Sequence, residues 1–449
     1  MNIINLVCDT FKSVINYETV NSLSEYIKLR QSKNGITLTD IISYRFLYTD
    51  SNNRMTKQAI TCKLNSINNT SFTRQAYDSK DKNVPLEFYE FMFLKFKSLF
   101  RKQMEIKDDI LVAVDGTYNT SINRKPMLNL GLFDISNGVP LDIQYYGNSK
   151  RNQEVSVFMD HIKNNIDKYR NVIFVADRGY YNYNLINFIQ ENNLNYIIRI
   201  KGDGKNLNPK TKINKNVPKY LLINNIKNNS RLIKSHRYLD KKVNISKSKT
   251  SKRTALIKIR NDCVILTNLK DKNKYSDQKI LDLYNSRWDI EVFFKYIKHN
   301  FKFRNLDEKD IQQHKKLYYC ELIIMYIVKM LETEIAKKDK LSKNKKINKT
   351  LLITGLYDGL LVDMISNTIS ESSYTMIRKY VMTYNTQIGR HNPRKSKTPF
   401  TRWYVKDYSE SSKYSKVINA ILDKKTNELN KNLKTLSKRI KIVKIIENG

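Results

Sequence analysis

Four polar side chains between residues 284 and 298 are spaced so that one helix could present them together. Tyr284, Arg287, Glu291 and Lys298 stand at positions i, i+3, i+7 and i+14, offsets that share one face of a helix with about 3.6 residues per turn. An acid among bases and a phenol can hold a cation and a phosphate together. The same pattern is typical of a solvated helix face with ion pairs between neighbouring turns, so this stretch alone leaves both interpretations open.

Two aspartates upstream each follow a short apolar run that reads as a buried strand. Asp115 ends the run 110–115, and Asp177 ends the run 171–177. Ligands collect at the carboxyl edge of such sheets, where loops bring distant residues together. One aspartate after a strand is more often a turn former. Two of them, with Glu291 on a helix that packs beside the sheet, would form a set of three carboxylates.

Carboxylate oxygens are ligands for hard divalent cations, and Mg²⁺ is usually held by a few of them together with water and substrate phosphate. Two such ions, about 3.5–4 Å apart, suit the displacement of one phosphodiester oxygen by another. Such a negative site would repel DNA unless metals and basic neighbours offset its charge. Arg178, Arg287, Lys295 and Lys298 are the basic side chains that we expect to do so.

The overall charge of the chain indicates a polyanionic partner. The 449 residues include 81 Lys and Arg against 43 Asp and Glu, a formal net charge of +38. Abundant Lys, Asn, Ile and Tyr with only 12 Gly and 7 Pro are typical of AT-rich codons, which account for part of the lysine content. Codon bias does not explain so large an excess of bases over acids. Nucleic acid is therefore the simplest partner.

Several other classes of protein are disfavoured. The four cysteines are far apart and lack zinc-ligand spacing, so they read as reduced, mostly buried thiols. The first residues lack the basic and apolar regions of a signal peptide. The most apolar segment, 317–331, is short and interrupted by charges, which argues against a membrane span. We expect a soluble intracellular protein without a membrane partner.

The pattern of apolar residues divides the chain into five regions. Residues 1–105 are mainly helical and form either a small DNA-binding module or a cap on the next domain. Residues 106–201 form the first part of a core, and 271–335 form the second part with the helix that carries Glu291. Between them, 202–270 are a basic, β-rich insertion with short strands predicted at 220–223, 255–259 and 263–267. Residues 336–449 are a helical, basic region with a possible role in dimerisation, and they end in a basic tail at 431–444.

Within the first part of the core, the period of apolar residues predicts three strands, a helix, a strand, a helix and a strand. The predicted ranges are 110–115, 127–135, 140–146, 153–169, 171–177, 183–192 and 195–200. Asn137–Gly138 is a hairpin turn signal between the second and third strands, and the first two pairs of strands are expected to be antiparallel. The order predicts an α/β fold, with a mixed sheet flanked by helices.

Three segments together resemble the catalytic regions of the IS4-type DDE transposases. They are Val112–Thr117 (VAVDGT), Val175–Tyr180 (VADRGY) and the spacing Y-(2)-R-(3)-E-(6)-K from Tyr284 to Lys298, which matches the pattern of that family at all four positions. The first two acids are 62 residues apart, and Glu291 follows after another 114 residues. That second interval has room for the β-rich insertion that the family carries.

The resemblance implies an RNase H-like core in which Asp115, Asp177 and Glu291 hold two Mg²⁺ ions, with Mn²⁺ as an alternative. It also implies that Tyr284 and Arg287 contact the DNA phosphate near the cleavage site. Lys298 would contact the terminal phosphate or bases. The implied reaction is cut-and-paste DNA transposition by a homodimer, which nicks the inverted-repeat ends of an element and joins the freed 3′-OH to target DNA.

Two other functions remain open at this point. A different RNase H-like nuclease, such as a resolvase or a nuclease for RNA–DNA hybrids, would share the three acids without specificity for element ends. A domesticated DNA-binding derivative would have lost catalysis, although drift would be expected to damage an unused acid. A transposase, like either alternative, would act with DNA inside the cell, in a bacterial cytoplasm or nucleoid or in a viral or nuclear setting. Trp288 adjoins Arg287 and is expected to pack against the core.

Overall fold

The computed structural model describes thirteen separate parts of the chain. They are residues 35–49, 56–106, 111–120, 126–146, 153–200, 226, 228–244, 254–301, 311–340, 345–366, 375, 377 and 383–385. The strand predicted at 220–223 and the basic tail at 431–444 lie outside these residues.

Four helices form the described part of the N-terminal region. They are Leu38–Tyr48 (α1), Lys57–Asn68 (α2), Arg74–Asn83 (α3) and Leu86–Gln103 (α4). Thr37, Thr56 and Thr73 precede the first three, and each side chain accepts a hydrogen bond from a backbone N–H of the first turn. These threonines fix where the helices begin, because they satisfy donors that have no partner within the helix. The helical interpretation of this region holds for its described residues.

Seven strands form one mixed sheet. They are Leu111–Thr120 (β1), Pro126–Asp134 (β2), Val139–Tyr146 (β3), Ile173–Ala176 (β4), Asn195–Ile200 (β5), Arg231–Asn244 (β6) and Thr254–Thr267 (β7). Their order across the sheet is β3-β2-β1-β4-β5-β7-β6. Strands β1, β4 and β5 are parallel, and the other neighbouring pairs are antiparallel. This is an RNase H-like α/β fold, as the sequence predicted.

The β-rich insertion joins this sheet instead of forming a separate one. Strand β7 pairs with β5, and β6 pairs with β7 along its whole length. Both segments predicted as strands, 255–259 and 263–267, are strand in the structure, but they belong to β7, one continuous strand of 14 residues. Strand β6 was not predicted, since its alternation of apolar residues is broken by charges such as Asp240 and Lys241.

Helices cover both faces of the sheet. They are Glu154–Lys163 (α5) and Tyr183–Glu191 (α6) on one face, and Asp277–Asn285 (α7), Trp288–Asn300 (α8) and Ile311–Lys338 (α9) on the other. Further along are strands Lys345–Ile347 (β8) and Thr383–Asn385 (β9), and helices Lys349–Gly355 (α10) and Leu361–Ser366 (α11). The helix predicted at 153–169 is shorter, because α5 ends at Lys163 and a 3₁₀ turn occupies Ile166–Tyr169.

Alternation along β1 assigns its side chains to the two faces. Val112 and Val114 are buried with α5 and α6, whereas Ala113 is buried in the cluster that includes α8, α9 and the N-terminal helices. Successive side chains of a strand point to opposite faces. Asp115 therefore faces the same side as Ala113, toward α8, and residue 116 faces α5.

The N-terminal helices share one hydrophobic core with the seven-stranded sheet and α9. Helix α4 packs along α9, and the Tyr326 ring meets Phe93, Phe96 and Phe100 edge to face. This packing favours the cap over the separate DNA-binding module for the residues described. None of the described helices is long and apolar enough to cross a membrane. The described cysteines, Cys62, Cys263 and Cys320, are all free, but only the last is buried.

Candidate active site

Asp115 lies in the middle of strand β1. The sequence had suggested that it lies at the end of a strand. Strand β1 continues to Thr120 because residues 112–120 pair with β2. The parallel pairing with β4 ends earlier, at Val114 opposite Ala176. Asp115 is thus the first residue beyond the parallel part of the sheet, and its Oδ1 accepts a hydrogen bond from the Gly116 N–H at 2.9 Å.

Asp177 follows β4 directly, so it lies beside Asp115 at the same edge of the sheet. Its carboxylate caps a short 3₁₀ turn, Arg178–Tyr180, and accepts a hydrogen bond from the Gly179 N–H. The turn-forming role weighed for this residue is therefore real. It leaves the carboxylate at the carboxyl edge of the sheet, close enough for its charge to act on Asp115.

The single helix predicted over 284–298 is two helices. Helix α7 ends at Asn285 and α8 begins at Trp288. Between them the backbone tightens, since the N–H groups of Arg287 and Ile290 donate to carbonyls three residues earlier. These i→i−3 bonds are typical of 3₁₀ geometry. The four polar residues therefore do not share one regular helix face, because Tyr284 belongs to the preceding helix.

Arg287 joins the two helices to the edge of the sheet that carries Asp115 and Asp177. Its Nη2 donates to Oε1 of Glu291 at 2.6 Å, and the guanidinium lies 5.9 Å from the centre of the Tyr284 ring. Burial by itself would lower the pKa of Arg287. The hydrogen bond to Glu291 and the nearby Tyr284 and Asp115 raise this pKa above its usual value. Arg287 Nε is buried without a hydrogen-bond partner among the described residues.

A glycine on β2 allows α8 to pack this close to the sheet. Gly131 pairs with Asp115, and a Cβ at residue 131 would lie only 2.5 Å from Cζ of Phe294 on α8. The Phe294 ring occupies the space of that missing side chain. Because Phe294 lies one turn after Glu291, this contact fixes the height of the acid above the sheet.

The charge on Asp115 is not balanced by its described neighbours. Burial, together with the charges of Asp177 and Glu154, raises the pKa of Asp115 from 3.8 to about 7, although Arg287 and the Gly116 N–H oppose this rise. Low solvation and like charges both disfavour the ionised form of an acid. A divalent cation would reverse both effects, so these hard oxygen donors fit the kind of ion that the sequence predicts.

Glu154 and Tyr180 belong to this site, and the sequence had not singled out either as a site residue. Glu154 is in the first turn of α5, and Tyr180 ends the 3₁₀ turn after Asp177. Burial and the charge of Asp177 raise the pKa of Glu154. The signals available in the sequence were an acid opening a helix after the third strand and a tyrosine within VADRGY. Neither has a spacing that distinguishes it from a capping or core residue.

The remaining predicted residues lie around this edge. Arg178 and Lys295 are exposed, and Lys298 is partly buried on α8, about 10 Å along the axis from Glu291 at 1.5 Å per residue. The expectation for Trp288 was wrong, because its side chain is 60% exposed. It is the first residue of α8, where the tight turn after α7 directs it away from the sheet.

In the described part of the chain, no three His, Cys, Asp or Glu side chains are close enough together to form a complete metal site. Asp115, Asp177 and Glu154 interact through their charges, whereas Glu291 is held by Arg287. A complete set of ligands therefore requires a rearrangement of side chains. One such rearrangement is a shift of Glu291 away from Arg287, its partner in the ion pair.

Two comparisons with known proteins match this chain to transposases. The family model described as "Transposase DDE domain" matches residues 114–326, a range that contains Asp115, Asp177 and Glu291. A putative transposase for insertion sequence element IS4SA from Synechocystis sp. is 27% identical over 270 residues, which are 56% of this chain and 69% of that protein.

A cryo-EM structure of the piggyBac transposase synaptic complex with hairpin DNA covers 83% of this chain and 84% of its own. It has a TM-score of 0.41 and 13% identity, a similarity too low to add to the assignment. The match to the DDE domain and the curated relative carry the assignment. Residues 114–326 match the transposase DDE domain, and the chain is similar to the transposase of an IS4-type element.

Proposed function

We propose that this protein cleaves DNA at the inverted-repeat ends of an insertion element and transfers the freed strand to a target. The observation that carries the proposal is the position of Asp115, Asp177 and the Arg287–Glu291 pair at one edge of an RNase H-like sheet, within the matched transposase domain. A nuclease or a DNA-binding derivative shares parts of this arrangement, but the match to transposases favours transposition.

Asp115, Asp177 and Glu291 are the residues that would hold two divalent cations, Mg²⁺ or Mn²⁺. Bound ions of this kind supply a nucleophilic oxygen and stabilise the leaving oxygen in phosphodiester displacement. In the first step water attacks the phosphorus at the element end, and the bond to the 3′ oxygen breaks to leave a 3′-OH. In the second step that 3′-OH attacks a target phosphate, and a target 3′-OH leaves.

Arg287 couples DNA binding to the release of Glu291. Its guanidinium is occupied on one side by Glu291 at 2.6 Å, while Nε is buried without a described partner. Guanidinium groups bind phosphate through two parallel hydrogen bonds. A DNA phosphate that engages Nη2 competes with Glu291 for this nitrogen, and the freed carboxylate then turns toward Asp115 and Asp177.

Basic and aromatic side chains near this edge suit a nucleic-acid ligand. Arg178, Lys295 and Lys298 would contact phosphates, in keeping with the net charge of +38. Trp288 is exposed beside Arg287, and an exposed indole can stack on a base that has left the duplex. We therefore assign Trp288 to the DNA-binding surface, together with Tyr284.

The partners that follow from this function are double-stranded DNA, both as element ends and as target, and a second copy of the chain in a synaptic homodimer. The protein would act where that DNA is, inside the cell. The DDE domain supports the DNA partner through the transposase family, and the homodimer rests on the reaction, which joins two element ends.

Cleavage of a labelled duplex tests the proposal. Sequencing the DNA that flanks the gene gives the element ends, which are then built into the substrate. Asp115→Asn, Asp177→Asn and Glu291→Gln should each abolish Mg²⁺-dependent cleavage, because each removes a charged oxygen ligand. Each variant should still bind the ends in a gel-shift assay.

Asp160→Asn is the matched control, since Asp160 is an exposed acid on α5 and its loss should leave cleavage unchanged. Full cleavage by any of the three site variants would contradict the assignment. Equal cleavage of a duplex with scrambled ends would favour a general RNase H-like nuclease over a transposase.

A further inference from the structure

The carboxylate of Glu154 reaches the catalytic edge from the face of the sheet opposite α8. It lies in the first turn of α5, and its charge acts on both Asp115 and Asp177. Tyr118, two residues along β1 from Gly116, donates a side-chain hydrogen bond to it. Glu154 is therefore held in place by the strand that carries Asp115, although it comes from a different element.

The missing side chain of Gly116 makes this approach possible. Residue 116 faces α5, and a Cβ there would lie 2.5 Å from Cδ and 2.8 Å from Oε1 of Glu154. Real Cβ atoms do not approach other atoms so closely. Because the backbone of Gly116 is ordinary strand, the glycine is needed for the space it leaves and not for its conformational freedom.

The hydroxyl group of Tyr180 gives a second, independent sign of a ligand at this point. The side chain is 1% exposed, and its hydroxyl has no hydrogen-bond partner among the described residues. The charges that act on it are those of Glu154, Asp115 and Asp177, in that order. A buried hydroxyl without a partner is unfavourable, and a water molecule bound to a cation at these acids would provide the missing partner.

We propose that Glu154 is a fourth carboxylate of the cation-binding centre, acting with Asp115 and Asp177 while Glu291 is still held by Arg287. The inference rests on the proposed function, since it adds a residue to that centre. Glu154 contributes charge to the ion, either directly or through an ion-bound water shared with Tyr180. After a side-chain shift that brings Glu154 closer to Asp115 and Asp177, the first cation can bind before DNA arrives and before Glu291 is released.

Direct titration of the full-length protein with Mn²⁺, followed by electron paramagnetic resonance, tests this proposal without any measurement of cleavage. Glu154→Gln should weaken Mn²⁺ binding by about 10- to 100-fold, the usual cost of losing a group that supports a metal site. Gly116→Ala should weaken it as well, because the added Cβ displaces the Glu154 carboxylate while every charge is kept. Asp160→Asn, on the same helix, should bind Mn²⁺ like the unaltered protein.

Asp115→Asn distinguishes failure of this inference from failure of the proposed function. If Asp115→Asn loses Mn²⁺ binding but Glu154→Gln and Gly116→Ala do not, Glu154 is not part of the centre and the proposed function stands. If neither Asp115→Asn nor Glu154→Gln weakens binding, both the inference and the proposed centre are wrong. Thermal unfolding in chelator shows whether each variant is folded before it is titrated.

Discussion

Asp81 and Asp115 are two enclosed acids of this protein with opposite surroundings. Asp81, 4% exposed in the helical layer, is paired with the Arg45 guanidinium and accepts a hydrogen bond from the Tyr89 hydroxyl at 2.9 Å. Lys316 donates to its backbone carbonyl at 2.8 Å. The carboxylate and the backbone carbonyl of Asp81 therefore both have partners.

Asp115 has like charges for neighbours instead. Glu154 and Asp177 both act on it, and Arg287, which opposes them, is engaged by Glu291. Low solvation therefore penalises the ionised form of Asp115 without full compensation. The comparison shows that the fold balances the charge of Asp81, which serves packing, and leaves the charge of Asp115 unbalanced, at the place where we propose that a cation binds.

Replacement of Asp81 should have the largest effect on stability. Asp81→Asn removes the negative partner of Arg45 and leaves a buried guanidinium uncompensated. Breaking such a pair typically costs about 3–5 kcal/mol, so we expect the free energy of unfolding to fall by that amount in a urea titration. The site at Asp115 should keep its Mn²⁺ affinity in the folded variant.

Asp78→Asn is the matched control for Asp81→Asn. Asp78 is also on α3 and pairs with Lys57 at 3.1 Å, but both side chains are about a quarter exposed. Its loss should cost about 1 kcal/mol or less. Equal destabilisation by the two variants would mean that the buried network has no special role in stability.

Replacement of Asp115 by Asn should increase stability, whereas Asp81→Asn decreases it. The pKa of Asp115 rises from 3.8 to about 7 in the folded protein, so the unfolded chain ionises first as pH increases. Below pH 3.8 the acid is protonated in both states and has no effect. The free energy of unfolding therefore decreases between pH 3.8 and about 7, and the full decrease is present above that range.

We therefore expect Asp115→Asn to raise the free energy of unfolding at pH 8 in chelator, with no gain at pH 3.5. The gain is at most about 4 kcal/mol, because a tenfold change in proton affinity corresponds to about 1.4 kcal/mol and water still reaches this edge. Asp160→Asn should show no such dependence on pH. A loss of stability at pH 8 would mean that the ionised acid is well compensated.

The sequence predicted the centre of this site better than its surroundings. Asp115 and Asp177 were recognisable because each follows an apolar run, a local pattern that reports a buried strand directly. The break between α7 and α8 was not, since Ser286 and Arg287 have ordinary helical backbone angles and only their i→i−3 hydrogen bonds mark the turn.

Contacts between distant elements were the hardest to foresee. Glu154 reaches Asp115 only because Gly116 leaves room for it, and α8 lies close to β2 only because Gly131 does. A glycine in a strand indicates a close approach of some kind, but it does not say which residue approaches.

Lys316 offers the finest test of the comparison between the two acids. Its ammonium donates to the carbonyls of Asp81 and Lys82 at 2.8 and 3.4 Å and lies 6.0 Å from the centre of the Tyr89 ring. Lys316→Met keeps the volume of the side chain but leaves buried carbonyls without this donor, at a cost of about 1–3 kcal/mol. We expect that decrease in the free energy of unfolding in urea.

Lys315→Met removes the same charge from the neighbouring, partly exposed position, so it should change stability by less than about 0.5 kcal/mol. If both lysine variants were equally stable, the ammonium of Lys316 would not help to stabilise the surroundings of Asp81. A difference of the expected size would show that the Lys316 ammonium stabilises the backbone carbonyls around the buried Asp81. Arg287 does not do this for Asp115, because its hydrogen bond goes to Glu291.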